Sequence, residues 1–233
     1  MKNHPLLVSI TSGILLALLA AACSKSPRRG GSASFGSGGK VSPGGLYREV
    51  NVKKMYIRLG TYGRKKKRRM RPRYITVHST QNYSGDAYAH AKALQNGKLR
   101  ARKRKGYNRI GFLTWHFTIQ QDVAIQHLPT NEQGEHADFD GPGNNYSIGL
   151  EMCEHRGNSR DRTLDRTAKL CASLMNEYKI PLSRVVPHYH WPRRGANPPN
   201  KNCPHFLMDN GRPGRKWRRF LDDVEDEYER IKN

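Results

Sequence analysis

Apolar and polar positions change rhythm several times along this chain. Near the amino terminus an apolar run from Leu6 to Ala22 follows Lys2 and is interrupted only by Ser9, Thr11, Ser12 and Gly13. A cationic start, an apolar stretch and a small-residue end make up a secretory signal, expected over residues 1–22. From Ser24 to Gly45 the residues are Ser, Gly, Pro and basic types with almost nothing to bury, so 23–45 is expected to be a flexible linker. The folded domain is expected over 46–233. Within it Tyr74–His78 (YITVH), Trp115–Ile119, Ile125–Leu128 and Ser147–Cys153 are short runs of β-branched and apolar residues that predict strands. Ala87–Leu94 predicts a helix that stops before Gly97. Two longer helices follow from apolar residues recurring on one face: Leu164, Ala168, Cys171, Met175 and Tyr178, then Trp217, Phe220, Leu221, Val224, Tyr228 and Ile231. The implied class is α/β, a central sheet covered by helices. A chain of 233 residues holds one such domain and a tail, and no internal repeat is visible.

Charge changes the picture of what surrounds that domain. Lys and Arg number 42 against 19 acidic residues, a net +23, with the excess gathered in Arg64–Arg73 (RKKKRRMRPR) and Lys98–Lys105 (KLRARKRK). Such runs attract polyanions. In a cytoplasmic chain they would suggest nucleic acid; behind an export signal they point to anionic envelope polymers or lipid headgroups, and nucleic acid is not expected. A merely solvated basic surface is the plain alternative. The run Leu19-Ala20-Ala21-Ala22-Cys23 puts small residues ahead of a cysteine, which makes Cys23 a candidate for lipidation. Ordinary cleavage after Ala22 and an uncleaved membrane anchor compete with it. All three place the remainder outside the cytoplasm, on the periplasmic face of a membrane or secreted. Cys153, in a strand-like run, and Cys171, on an apolar helix face, are expected to pack as small buried groups, with a disulfide left open.

Isolated histidines carry little information, so candidate chemistry is sought where several ligand types fall at element ends. His78 ends YITVH, His188 follows the apolar stretch Ser183–Pro187, and Cys203 lies in the loop K-N-C-P. Two imidazoles and a thiolate suit Zn²⁺, and three protein ligands leave a fourth position for water, as in catalytic zinc sites. A zinc so held acidifies its water and polarises a carbonyl, which suits amide hydrolysis. The spacing contains no compact zinc motif.

The segments YITVHST, TWHFTI, NNYSIGLEMCEH and VVPHYHW followed by KNCPHF resemble, in order, the motifs of zinc-dependent N-acetylmuramoyl-L-alanine amidases, a superfamily that includes phage endolysins and peptidoglycan-recognition proteins. The resemblance spans about Tyr74 to Phe206. It implies a mixed sheet flanked by helices, one zinc per chain, and cleavage of the bond joining N-acetylmuramic acid to L-alanine, with peptidoglycan as partner and a monomer expected. It further implies His78, His188 and Cys203 as zinc ligands, Glu151 as general base and Lys201 as the cation that stabilises the developing oxyanion. Trp115, where related enzymes often carry tyrosine, and His136, in the loop GEHADFD, are candidates to line the substrate cleft, with packing the alternative for Trp115. Pro192–Asn200 lengthens a stretch that is usually short in the family. His136 with Asp140, and His188 with His190, also resemble the pattern of zinc peptidases that trim stem peptides, but that reading leaves YITVHST, SIGLE and KNCP unexplained. Members that bind peptidoglycan without cutting it lack the cysteine ligand.

Overall fold

The computed structural model describes residues 39–101 and 109–231. Cys23, the signal and most of the linker therefore lie outside the described residues, as do 102–105 of the second basic run. The first helix begins inside the tract read as linker. Ser42 accepts a hydrogen bond from Gly45 N and Pro43 occupies the first turn, so α1 (Pro43–Val50) starts where the chain first has Leu46 and Val50 to bury. The other elements are β1 (Val52–Lys54), β2 (Tyr74–Ser79), α2 (Ala87–Gln95), β3 (Phe117–Ile119), β4 (Ala124–Gln126), α3 (Pro142–Tyr146), β5 (Ser147–Met152), α4 (Arg160–Tyr178), β6 (Val185–Pro187), β7 (Met208–Asp209), β8 (Arg212–Pro213) and α5 (Arg215–Ile231).

Six strands form one sheet in the order β1-β4-β3-β5-β2-β6, while β7 and β8 pair separately. Every neighbouring pair in the large sheet is parallel except β3 with β4, so the sheet is mixed. Successive side chains of a strand face opposite sides, and here the two sides differ in chemistry. Ile75 and Val77 of β2, Phe117 and Ile119 of β3, and Ile148, Leu150 and Met152 of β5 pack with Leu170, Cys171 and Leu174 of α4 and with Trp217, Phe220 and Val224 of α5 in the main core. Burial of each such large aliphatic side chain is worth about 1.5–3 kcal/mol. The intervening residues, Thr76 and His78, His116 and Thr118, and Ser147, Gly149 and Glu151, belong to the other face. Helix α2 covers the β4 end of that face, where Ala87 and Ala91 meet Val123, Ile125 and Cys153. Cys153 and Cys171 are both buried and both free.

Candidate metal centre

The site sits at the carboxyl ends of three neighbouring parallel strands, the position where open α/β sheets bind ligands. His78 is the penultimate residue of β2 and stands in register with Glu151 of β5. On the other side β6 ends at Pro187, and the chain turns into a short 3₁₀ segment, His188–His190, whose first residue points back to His78. Cys203 arrives from the following loop, and its Sγ accepts a hydrogen bond from Ser79 N at 3.4 Å. One ligand atom each from His78, His188 and Cys203 lie within 4.8 Å of one another, and all three residues are buried.

Hydrogen bonds on the far side of each ring fix the tautomers. His188 Nε2 lies 3.1 Å from the carbonyl of Ala137, so Nε2 carries the proton and Nδ1 the lone pair. His78 Nε2 lies 3.0 Å from His136 Nδ1, and His136 Nε2 lies 3.3 Å from the carbonyl of Ser147. A carbonyl only accepts, so His136 donates through Nε2, accepts at Nδ1, and leaves His78 with its lone pair on Nδ1 as well. The two Nδ1 atoms are 2.9 Å apart. Burial and the neighbouring Lys201 charge hold His188 down to about 3, and burial likewise holds His78 well below the usual histidine range, so neither ring supplies a proton to that contact near neutral pH. Two lone pairs facing each other beside a thiol suit a shared cation, and the donor set of two nitrogens and one sulfur fits zinc.

The remaining groups converge on the same point. Glu151 Oε1 is 3.8 Å from His78 Nδ1, and its Oε2 is buried without a protein partner. Burial pushes the Glu151 carboxyl up to about 8, with Lys201 opposing and Glu154 assisting. Burial pushes the Cys203 thiol up to about 12, again against the pull of Lys201. A cation in the site would favour the charged forms of both. The loop bearing Cys203 is clamped from outside: His205 Nδ1 lies 3.3 Å from Ser79 Oγ, its Nε2 lies 3.4 Å from Glu154 Oε2, and Gln81 donates from its backbone to Glu154 Oε1 at 2.9 Å. Nothing in the sequence marks Glu154 and His205 as this clamp beyond their closeness to Glu151 and Cys203.

Trp115 and His136, expected at the substrate cleft, are both buried, the first in a separate apolar cluster and the second directly behind His78. Trp115 is buried among Ile57, Leu94 and Leu128 and donates from Nε1 to Thr118 Oγ1 at 2.7 Å, because the face of β3 it precedes is covered by α2. His136 is buried with both ring nitrogens engaged as described. The alternative ligand set is not assembled either. His190, two residues from His188 in the 3₁₀ turn, packs on Trp191 and Tyr74 with ring centroids 4.6 and 6.2 Å away. The basic run is not uniformly solvent-facing: Arg64 is mostly covered where it pairs with Glu132, with Nε–Oε2 and Nη2–Oε1 both 2.8 Å, while Lys65, Lys66, Lys67 and Arg69 are exposed.

A mixed-sheet α/β domain with a buried His-His-Cys cluster, beside the half-buried Glu151 and Lys201, has the donor set and the carboxylate of a hydrolase that could hold one metal ion. Residues 68–206 match the family model described as N-acetylmuramoyl-L-alanine amidase. The chain belongs to the N-acetylmuramoyl-L-alanine amidase family. It is 36% identical over 159 residues to the amidase CwlH of Bacillus subtilis, an alignment covering 66% of this chain and 54% of CwlH. It is 38% identical over 143 residues to the amidase XlyA of the same species, covering 60% of this chain and 42% of XlyA. The chain thus spans about half the length of the curated relatives it matches. Among solved structures, a mutant endolysin from Bacillus subtilis superposes with a TM-score of 0.61 at 36% identity, covering 75% of this chain and 98% of that one. The catalytic domain of XlyA superposes with a TM-score of 0.59 at 34% identity, covering 75% of this chain and 99% of that domain.

Proposed function

We propose that this domain hydrolyses the amide bond between N-acetylmuramic acid and L-alanine in peptidoglycan, using one zinc ion held by His78, His188 and Cys203. The observation that carries the reading is the pair of neutral imidazole Nδ1 atoms 2.9 Å apart beside a buried thiol, in a chain of the amidase family. Zinc bound there would acidify water and polarise the scissile carbonyl. Glu151, within 3.8 Å of a ligand nitrogen, would take the proton of the attacking water and return it to the leaving amine. Lys201, whose charge acts on His78, His188, Glu151 and Cys203 alike, would stabilise the negative charge that grows on the carbonyl oxygen.

Export through the apolar amino-terminal run, tethering through Cys23, and attraction of the exposed lysines to anionic envelope polymers complete the proposal. The test begins with protein stripped of metal. Titration should restore hydrolysis of a soluble muramoyl-L-alanyl peptide at one zinc per chain, and Cys203→Ser should hold less zinc. Full activity without metal, or full zinc occupancy in Cys203→Ser, would remove the cluster from the reaction.

A further inference from the structure

His136 reaches the metal cluster only through the outer nitrogen of His78, 3.0 Å away, yet its placement is tightly fixed by the fold. Its ring lies over Gly149 so closely that a Cβ at 149 would come within 2.9 Å of three ring atoms. A Cβ at Gly134 would meet the same ring at 2.8 Å and the Thr114 carbonyl at 2.7 Å. Two neighbouring positions must therefore lack side chains for the imidazole to fit. The backbone that carries it is equally fixed. Asn144 Oδ1 accepts from both His136 N and Ala137 N at 2.8 Å, and Asp138 accepts from Gly143 N and Asn144 N at 2.9 Å, which closes the loop on the first turn of α3. That short loop supplies both outer partners of the imidazole pair, the His136 ring for His78 and the Ala137 carbonyl for His188.

We infer that His136 is a positioning residue, which sets the tautomer and ring orientation of His78 so that Nδ1 presents its lone pair to the metal. The relay from His78 Nε2 through the His136 ring to the Ser147 carbonyl has one consistent hydrogen arrangement, because its last acceptor is a carbonyl. Without it the buried Nε2–H of His78 would have no partner, and the ring would gain by turning over or by moving its proton to Nδ1, both of which remove the ligand atom. Outer partners of metal-bound histidines commonly contribute about 10–100-fold in metal affinity. The inference rests on the zinc-site reading above and concerns metal binding, not turnover.

The test compares two substitutions of nearly equal volume in the full chain, His136→Met and His136→Gln. Gln offers a carbonyl to accept from His78 Nε2–H and an amide to donate toward Ser147; Met offers neither. Zinc affinity is read by chelator competition, and ligand geometry by the visible absorption of the cobalt-substituted protein. His136→Met should bind zinc about 10–100-fold more weakly than wild type with an altered cobalt spectrum, and His136→Gln should recover most of both. Should His136→Met not fold, His136→Asn against His136→Gln carries the comparison, since Asn has the same groups one methylene short of reach and should bind weakly. Equal zinc affinity in the two compared variants would overturn the positioning role. A wild-type protein that binds no zinc would instead overturn the metal site itself.

Discussion

Arg64 opens a run of cations that reads as a solvated surface, and the structure makes it a structural anchor. Its guanidinium forms a two-pronged pair with Glu132, donates from Nη1 to the Ile57 carbonyl at 3.0 Å, and lies 5.7 Å from the Tyr56 ring centroid. The side chains of Arg64 and Glu132 are 12% and 8% exposed, so removing the arginine leaves a carboxylate with little water to turn to. Breaking one partner of a buried pair costs about 3–5 kcal/mol. For a domain of this size each kcal/mol shifts the melting midpoint by about 2–4 °C, so Arg64→Met should lower it by about 6–20 °C. Thermal and urea unfolding followed by circular dichroism would read the change, with Lys65→Ser as the exposed control, expected within about 0.5 kcal/mol of wild type. The double variant Arg64→Met/Glu132→Leu should recover most of the loss, because no buried charge is then left unpaired. An Arg64→Met protein within 0.5 kcal/mol of wild type, on about the scale of that control, would refute the assignment.

Three further expectations follow from the same geometry. Glu151→Gln is nearly isosteric but cannot take a proton, so it should keep fold and zinc while turnover falls about 10²–10⁴-fold; a rate within about threefold of wild type would return Glu151 to a structural role. In the metal-free protein His127, hydrogen-bonded to Thr118, is held by burial to about 3 against 6.5 when unfolded. The unfolded chain thus binds its proton first, and stability should fall with falling pH between those values by about 1.4 kcal/mol per pH unit on this account alone. His127→Gln should show an acid limb flatter by that amount in urea unfolding, and parallel limbs would exclude the effect. Replacing the exposed Lys65, Lys66, Lys67 and Arg69 by Ser should weaken retention on isolated sacculi at low salt, where screening lengths exceed about 8 Å, and leave turnover of a small muramyl peptide unchanged.

The sheet and its helices were legible where pattern and burial coincide. The strands expected at Tyr74–His78 and Ser147–Cys153 end within one residue of β2 and β5, and both long helices keep the predicted faces, with α4 reaching back to Arg160 through the Ser159 cap. Strands of three residues carry too little periodicity to register: β1 (VKK) is mostly exposed, and β6 is short and ends on a proline. The site was legible through its ligand types, because imidazole and thiolate at element ends are chemically distinctive. Its support was not. The Ala137 carbonyl and the Asn144 cap are ordinary backbone and amide groups, recognisable only once the fold brings residues 137 and 188 together. Arg64 fails in the opposite direction, since a run of like charges conceals a member whose ion-pair partner, Glu132, lies far along the chain. The alternation Ile75, Thr76, Val77, His78 was the available signal that β2 has an aliphatic face and a chemical one.

On the proposed reading a buried zinc site cuts the bond between the glycan strand and the stem peptide. Mass spectrometry of purified peptidoglycan digested by the zinc-loaded protein tests it most directly. The expected products are intact glycan strands bearing free lactyl carboxylates, together with released peptides that begin at L-alanine with a free amino terminus. Fragments cut within the stem peptide, with the muramoyl-alanine bond intact, would contradict it.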